Sequence, residues 1–248
     1  MRKFRADLHV HTVLSPCAEV EMIPPLIVQR ALEHEIDLIA ITDHNSSANV
    51  RAVQKAAAST QLTVLPGMEV QSREDVHLLT LFETIDALET WQAEVDKSLP
   101  DLRNQADFFG EQFVVDETGE FIRRETRLLL TSTRFSIDEI IDRVNSLGGM
   151  VIPAHVERTS YGLLPSLGLI SEKWNLPALE ISRHTTPQKA MKLFPALHKY
   201  ALIQSGDVHR LDGFLGSTIF TLASLTLMEM RMAFNHIDGR EVCIETKI

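Results

Sequence analysis

The chain has 248 residues, with 24 Lys and Arg against 34 Asp and Glu, a formal charge of -10 and 44% apolar residues. It is long enough to bury a core unaided, and with only two cysteines, Cys17 and Cys243, it has no disulfide framework and suits a reducing compartment. The acidic balance argues against a long nucleic-acid duplex as the main partner, since spare cations to neutralise many phosphates are lacking, whereas a small phosphorylated substrate needs only a few arginines.

Residues 1–5 are basic, but Asp7, His9 and His11 follow where a secretion signal needs an apolar core. The longest uncharged stretch, 214–228, is too short and too rich in Ser, Thr and Gly to span a bilayer. A cytoplasmic location without a membrane partner is expected. A strand is expected over 6–10, then a helix opening at Pro24-Pro25 and running through Ile27, Ala31 and Leu32. A strand over 38–42 and an alanine-rich helix over 47–59 follow, then strands over 62–70 and 76–82 and a helix over 85–95. Residues 98–133 break the rhythm. Within them 113–122 reads as a hairpin turning at Thr118-Gly119, and the whole stretch reads as an insertion on a single domain spanning 1–248.

Ser136 and Glu139 then form a capping box at the start of a helix that ends at Gly148-Gly149. Strands over 150–154, 178–182, 201–204 and 217–222, a helix from 224 to about 235, and a strand over 241–245 complete the pattern. Alternating strands and helices indicate βαβ units and a mainly parallel sheet, and seven or so strands in this length favour a (β/α) barrel. No glycine-rich phosphate loop of the G-x-G-x-x-G or G-x-x-x-x-G-K type follows any strand, which weakens a nucleotide-binding reading.

The chain carries ten histidines, and most of them fall at strand ends. His9 and His11 point to one face of the first strand, with Val10 on the other. Thr42-Asp43-His44-Asn45 ends the second strand, Gly67-Met-Glu69 the third, and Val76-His77 opens the fourth. His155 ends a later strand, and Gly206-Asp207-Val-His209 another. One such residue alone would read as a capped or solvated side chain. Together they would bury ionisable groups at several kcal/mol per unpaired charge, on the order of what only a metal offsets. His34, His198 and His236 lie in helical patterns and read as surface residues.

These ordered motifs, from about residue 6 to 210, resemble the PHP (polymerase and histidinol phosphatase) domain family. The resemblance implies a distorted (β/α)7 barrel with two or three metal ions at the C-terminal ends of its strands, and hydrolysis of phosphate esters. No appended domain is read, so the chain resembles a stand-alone member. By that resemblance His9, His11, Glu69 and Asp207 would hold a first metal, and Glu69, His77 and His155 a second, with Glu69 bridging. His44 and His209 would hold a third with a ligand from the loop after His11. There this sequence has Ser15-Pro-Cys17 where many relatives carry Asp or His. Cys17 is either a ligand, which favours zinc or iron over manganese, or a packing residue, and Glu21 is the weaker substitute.

Mixed imidazole and carboxylate ligation suits Mn, Fe or Zn, and a metal-bridged hydroxide would attack phosphorus in line. Glu69, Asp207 and His155 are the residues on which catalysis should rest. Arg158 and Arg183 are candidates for the phosphate oxygens, Arg210 a weaker one, and Asp43 and His184 for the outer ring nitrogens of ligating histidines. The expected substrate is a small phosphorylated metabolite or a short nucleotide. The competing readings are a metal-binding sensor or accessory protein with little turnover, and a metal-dependent amidohydrolase, for which Lys173 and Lys189 lie outside the motifs.

Overall fold

The first strand, β1, spans Arg2–Val10 in the computed structural model, which describes residues 1–245. Helix α1 (Pro24–Glu33) starts on its two prolines, and β2 (Leu38–Ile41), α2 (Val50–Ala57) and β3 (Thr63–Gln71) follow. Next come β4 (His77–Leu81), α3 (Ile85–Ser98), α4 (Ala106–Phe109), β5 (Phe113–Val115) and β6 (Phe121–Arg124). The second half holds α5 (Ile137–Ser146), β7 (Met150–Pro153), α6 (Leu163–Leu167), β8 (Ala178–Ile181), α7 (Pro187–Leu193) and β9 (Ala201–Gln204). Then β10 (Thr218–Leu222), α8 (Leu227–Phe234) and β11 (Glu241–Ile244) end the described chain.

Seven strands form one curled sheet in the order β11-β10-β1-β2-β3-β4-β7, and β8-β9 form a separate pair. β7 lies against β8 and β9 against β11, so the pair fills the gap of a distorted half-barrel. The sheet is less parallel than the βαβ rhythm predicts. Among the described strands only β1-β2, β2-β3 and β8-β9 pair in parallel, while β4 is antiparallel to both β3 and β7, and β10 to both β1 and β11. The reason is local: residues 72–76 are too few for the crossover a parallel neighbour needs, so β3 turns straight back into β4. That reversal brings His77, at the start of β4, opposite Gln71 at the end of β3.

The barrel interior has an apolar floor and a polar mouth. Phe4, Leu8, Leu38, Leu65, Leu81, Met150, Ile203 and Phe220 are buried together, and Leu227, Met230 and Phe234 of α8 close the floor from below. Val10, Ile39, Ile41, Met68 and Leu78 belong to the second cluster, shared with the covering helices. Strict alternation along β1 would put residues 4, 6, 8 and 10 on the interior face and turn His9 and His11 outward. A bulge prevents this. Asp7 pairs with Ile39 and Val10 with Ile41, so β1 carries one extra residue there, and the faces exchange.

The stretch 98–133 packs on the loop after β1. Val114 and Leu129 bury Leu14, and Asn49 clamps the hairpin by donating to the Phe113 carbonyl (3.0 Å) and accepting from Val115 N (3.0 Å). Gly110, at φ +101°, lies so close to Pro16 that an added Cβ would stand 2.1 Å from the Pro16 carbonyl oxygen. No helix among the described residues is long and apolar enough to cross a membrane.

The capping box of α5 forms in full: Ser136 Oγ accepts from Glu139 N at 3.2 Å, and Glu139 Oε2 accepts from Ser136 N at 2.8 Å. Ser136→Ala should therefore cost about 1 kcal/mol. Urea unfolding should show a lower midpoint with an unchanged slope, and an unchanged midpoint would deny the cap its role.

Candidate metal centre

Glu69 is the hub of the polar mouth. Its side chain is 1% exposed, and five imidazoles crowd it. His77 Nδ1 lies 2.8 Å and His155 Nε2 3.3 Å from Oε1, His44 Nδ1 2.9 Å and His11 Nε2 3.4 Å from Oε2, and His9 Nε2 3.3 Å from Oε1. Asp207 Oδ1 stands 3.4 Å from His9 Nε2 and 3.5 Å from His11 Nε2. Most of these approaches lack hydrogen-bond geometry. His9 Nε2, His11 Nε2, both ring nitrogens of His77, His155 Nδ1 and Glu69 Oε2 are buried without a hydrogen-bond partner.

Such a cluster is costly as a set of protein groups alone, and it fits a ligand set converging on cations. Three groups have donor atoms all within 4.8 Å of one another: His9, His11 and Glu69; His44, Glu69 and His77; and His11, His44 and His209. They overlap the three sets named from the sequence, with His44 beside His77 and His11 beside His209. Imidazole and carboxylate donors suit first-row divalent ions.

Electrostatics prepares several of these groups for ligation. Burial would raise the Glu69 carboxyl, but His77, His9 and His44 hold it well below its ordinary value. Asp207 is likewise lowered against its burial, chiefly by His9 and His11. Burial depresses His77 to about 4 and pushes His11 well down, so both carry free lone pairs at neutral pH.

The outer ring nitrogens are fixed by groups the motifs do not announce. His9 Nδ1 meets Glu180 Oε2 at 2.9 Å, and the same oxygen accepts from His155 N at 3.1 Å. His11 Nδ1 meets Ser15 Oγ at 2.9 Å, and Ser15 donates to Asp43 Oδ1 at 2.7 Å. His209 Nδ1 lies 2.9 Å from the Asp207 carbonyl oxygen. Each contact holds a ring so that Nε2 faces the centre. Asp43 thus acts through Ser15, while His184 lies in a neighbouring cleft with Arg183 and Arg210. Glu180 was missed in the sequence although it shares a face with Ala178 in an apolar strand, which aims it inward.

The backbone is strained where it delivers two of the candidate ligands. His155 has φ +32° and Asp207 φ +49°, conformations that non-glycine residues adopt at a cost of about 1–3 kcal/mol. At the rim, Cys17 lines the cleft and its thiol interacts with His44 and His209. Burial would raise that thiol, but the two imidazoles bring it down to about 6, so it is largely thiolate at pH 7. Glu21 is exposed, as are His198 and His236, and His34 is half-buried against Phe214.

Of the two arginines, Arg158 lines the metal cleft and donates to Asp207 Oδ2 at 2.8 Å. Arg183 instead donates to the carbonyls of Gly206 (3.1 Å) and Gly213 (2.8 Å), bracing the loop that carries Asp207.

The sequence profile of the PHP domain matches residues 7–152, more than half of the chain. The chain belongs to the PHP family. His155, Asp207 and His209 lie beyond the matched stretch, and the fold brings them to the same centre. The 5'-3' exoribonuclease Rnm of Salmonella typhimurium is 30% identical over 80 residues, which are 30% of this chain and 26% of that protein. The chain thus matches only about a quarter of that curated relative's length. The lesion-specific endonuclease PfuEndoQ of Pyrococcus furiosus shares the fold with a TM-score of 0.72 at 17% identity, over 97% of this chain and 58% of that one. A putative metal-dependent phosphoesterase of Bifidobacterium adolescentis aligns with a TM-score of 0.55 at 19% identity, over 83% of this chain and 87% of that one. PHP membership and this donor set point to a metal-dependent hydrolase acting on phosphate esters.

One expectation is overturned. Endonuclease Q, on the same fold, is known in complex with a 27-mer duplex carrying an abasic lesion at its active site. The acidic total of the present chain therefore gives no ground for excluding a long duplex. Net charge is a sum over the whole surface, whereas binding answers to the local field at the mouth, where bound cations would dominate.

Proposed function

We propose that this PHP protein hydrolyses phosphate esters of nucleotide units, free or within a nucleic-acid strand, with two or three divalent ions held at its mouth. The carrying observation is the buried Glu69 among five imidazoles, five of whose ten ring nitrogens are buried without a hydrogen-bond partner. In this reading His9, His11, Glu69 and Asp207 hold one ion, Glu69, His77 and His155 a second, and His44, His209 and Cys17 a third. When bound, the ions supply Lewis acidity to the phosphoryl oxygens and acidify the attacking water.

The chain's own groups then orient and neutralise. Glu180 and Ser15 fix the tautomers of His9 and His11. Arg158, a third exposed and held among the described side chains by Asp207, can turn its remaining N–H groups to a phosphate oxygen. Arg183 holds the loop of Asp207 rather than the substrate. The chain is read as one domain, with 98–133 inserted beside the mouth.

The test is release of phosphate or nucleotide from a mononucleotide, a dinucleotide, a single strand and a duplex, with Mn, Fe and Zn in turn. Turnover that chelation abolishes is expected, and no hydrolysis of any of them with any metal would overturn the reading. Cys17 has its own test. Cys17→Ala should lose about one metal equivalent, Cys17→Asp should shift preference towards manganese, and Cys243→Ala should change neither. A full metal count and unchanged preference in Cys17→Ala would make Cys17 a packing residue.

A further inference from the structure

The cleft over the metal centre, about 300 Å³, has an apolar wall for which phosphate chemistry has no use. Phe109, Leu130 and Tyr161 form it, in the same cleft as His77, His155 and Arg158. The Tyr161 ring lies flat on His77, with centroids 4.4 Å apart and planes 5° apart, yet the residue stays 41% exposed. Its backbone is at φ +60°, a costly conformation for a bulky side chain. The fold enforces it: His77 N donates to the Tyr161 carbonyl at 3.1 Å, and a Cβ on Gly162 would stand 2.1 Å from the Arg158 carbonyl oxygen. Phe109 comes from the inserted stretch, whose turn at Gly110 is locked against Pro16. Phe108 packs edge-on against it at 4.7 Å.

Flat aromatic faces held in place beside a phosphate-binding centre favour a substrate with a flat group close to its phosphate. We propose that Tyr161 and Phe109 form a nucleobase-stacking subsite, which selects nucleoside phosphates over phosphorylated sugars. A base from a free nucleotide or one unstacked from a strand would fill it equally, because every base offers a π face. The proposal rests on the phosphoesterase reading for its purpose, but its test does not.

Adenosine has a base and no phosphate, whereas ribose 5-phosphate has a phosphate and no base. In ligand-observed NMR with the metal-loaded protein, both should bind the wild type. Phe109→Ala and Tyr161→Ala should each weaken adenosine about fivefold or more, leave ribose 5-phosphate within twofold, and keep the metal content. Tyr161→Phe, which keeps the ring, should bind adenosine as the wild type does. Absent adenosine binding, adenosine binding indifferent to both alanine substitutions, or equal loss of both ligands would overturn the subsite. If adenosine binds as expected while no phosphate ester is ever hydrolysed, the functional reading fails and the subsite stands.

Discussion

Glu69→Gln should lower phosphate-ester hydrolysis on the order of a thousandfold or more, the largest loss of any single substitution at the centre. The amide keeps the size of the side chain and removes the charge. His9, His11, His44, His77 and His155 all face this one carboxylate, so its neutralisation would leave the two proposed metal positions without their shared anion. His155→Ala removes one donor and should cost less, though still at least a hundredfold. His198→Ala, on an exposed residue remote from the centre, should stay near wild type. Steady-state assays at saturating metal decide the order, and equal activity in the three variants would contradict the assignment of strand-end residues to the centre.

Asp7→Ala should destabilise the fold by about 4 kcal/mol, the largest stability loss expected outside the proposed metal ligands. The carboxylate is fully buried and points away from the centre, to the loop that carries Asp207. It accepts from Gly206 N (2.9 Å), Leu215 N (2.9 Å) and Gly216 N (3.3 Å). Burial pushes its carboxyl up to about 6, against the pull of those three N–H groups. Alanine would leave all three orphaned, at roughly 1–3 kcal/mol each before relaxation. The turn at Gly206-Asp207 should loosen with them, so metal affinity should fall as well as the urea midpoint. A midpoint change worth under about 1 kcal/mol would show that water or a backbone shift replaces the carboxylate.

Much of the centre was legible because its chemistry is concentrated in unusual residues. Imidazoles and carboxylates at the ends of apolar strands have few uses other than ligation, so His9, His11, His44, Glu69, His77, His155, Asp207 and His209 stand out by type and place. The capping box of α5 was legible for a similar reason, being a short pattern whose partners are close in sequence. Features that depend on distant pairing were not. The bulge after Asp7 exists only in the register of β1 against β2, yet it decides whether His9 and His11 face the centre or the helices.

The reversal of β4 lay in the shortness of 72–76, but the dominant helix-strand rhythm obscured it. Glu180 sat in plain view as one acid in an apolar strand, and its partner His9 is 171 residues away. The error about nucleic acid came from treating a chain-wide charge as if it acted at the mouth.

The central claim is that the polar mouth is a multinuclear metal site. Its most direct test is the metal content of the purified chain after reconstitution with Mn, Fe and Zn in turn and removal of free ions. About two to three ions per chain are expected in the wild type, falling in Glu69→Gln. Less than one equivalent with every metal would contradict the account.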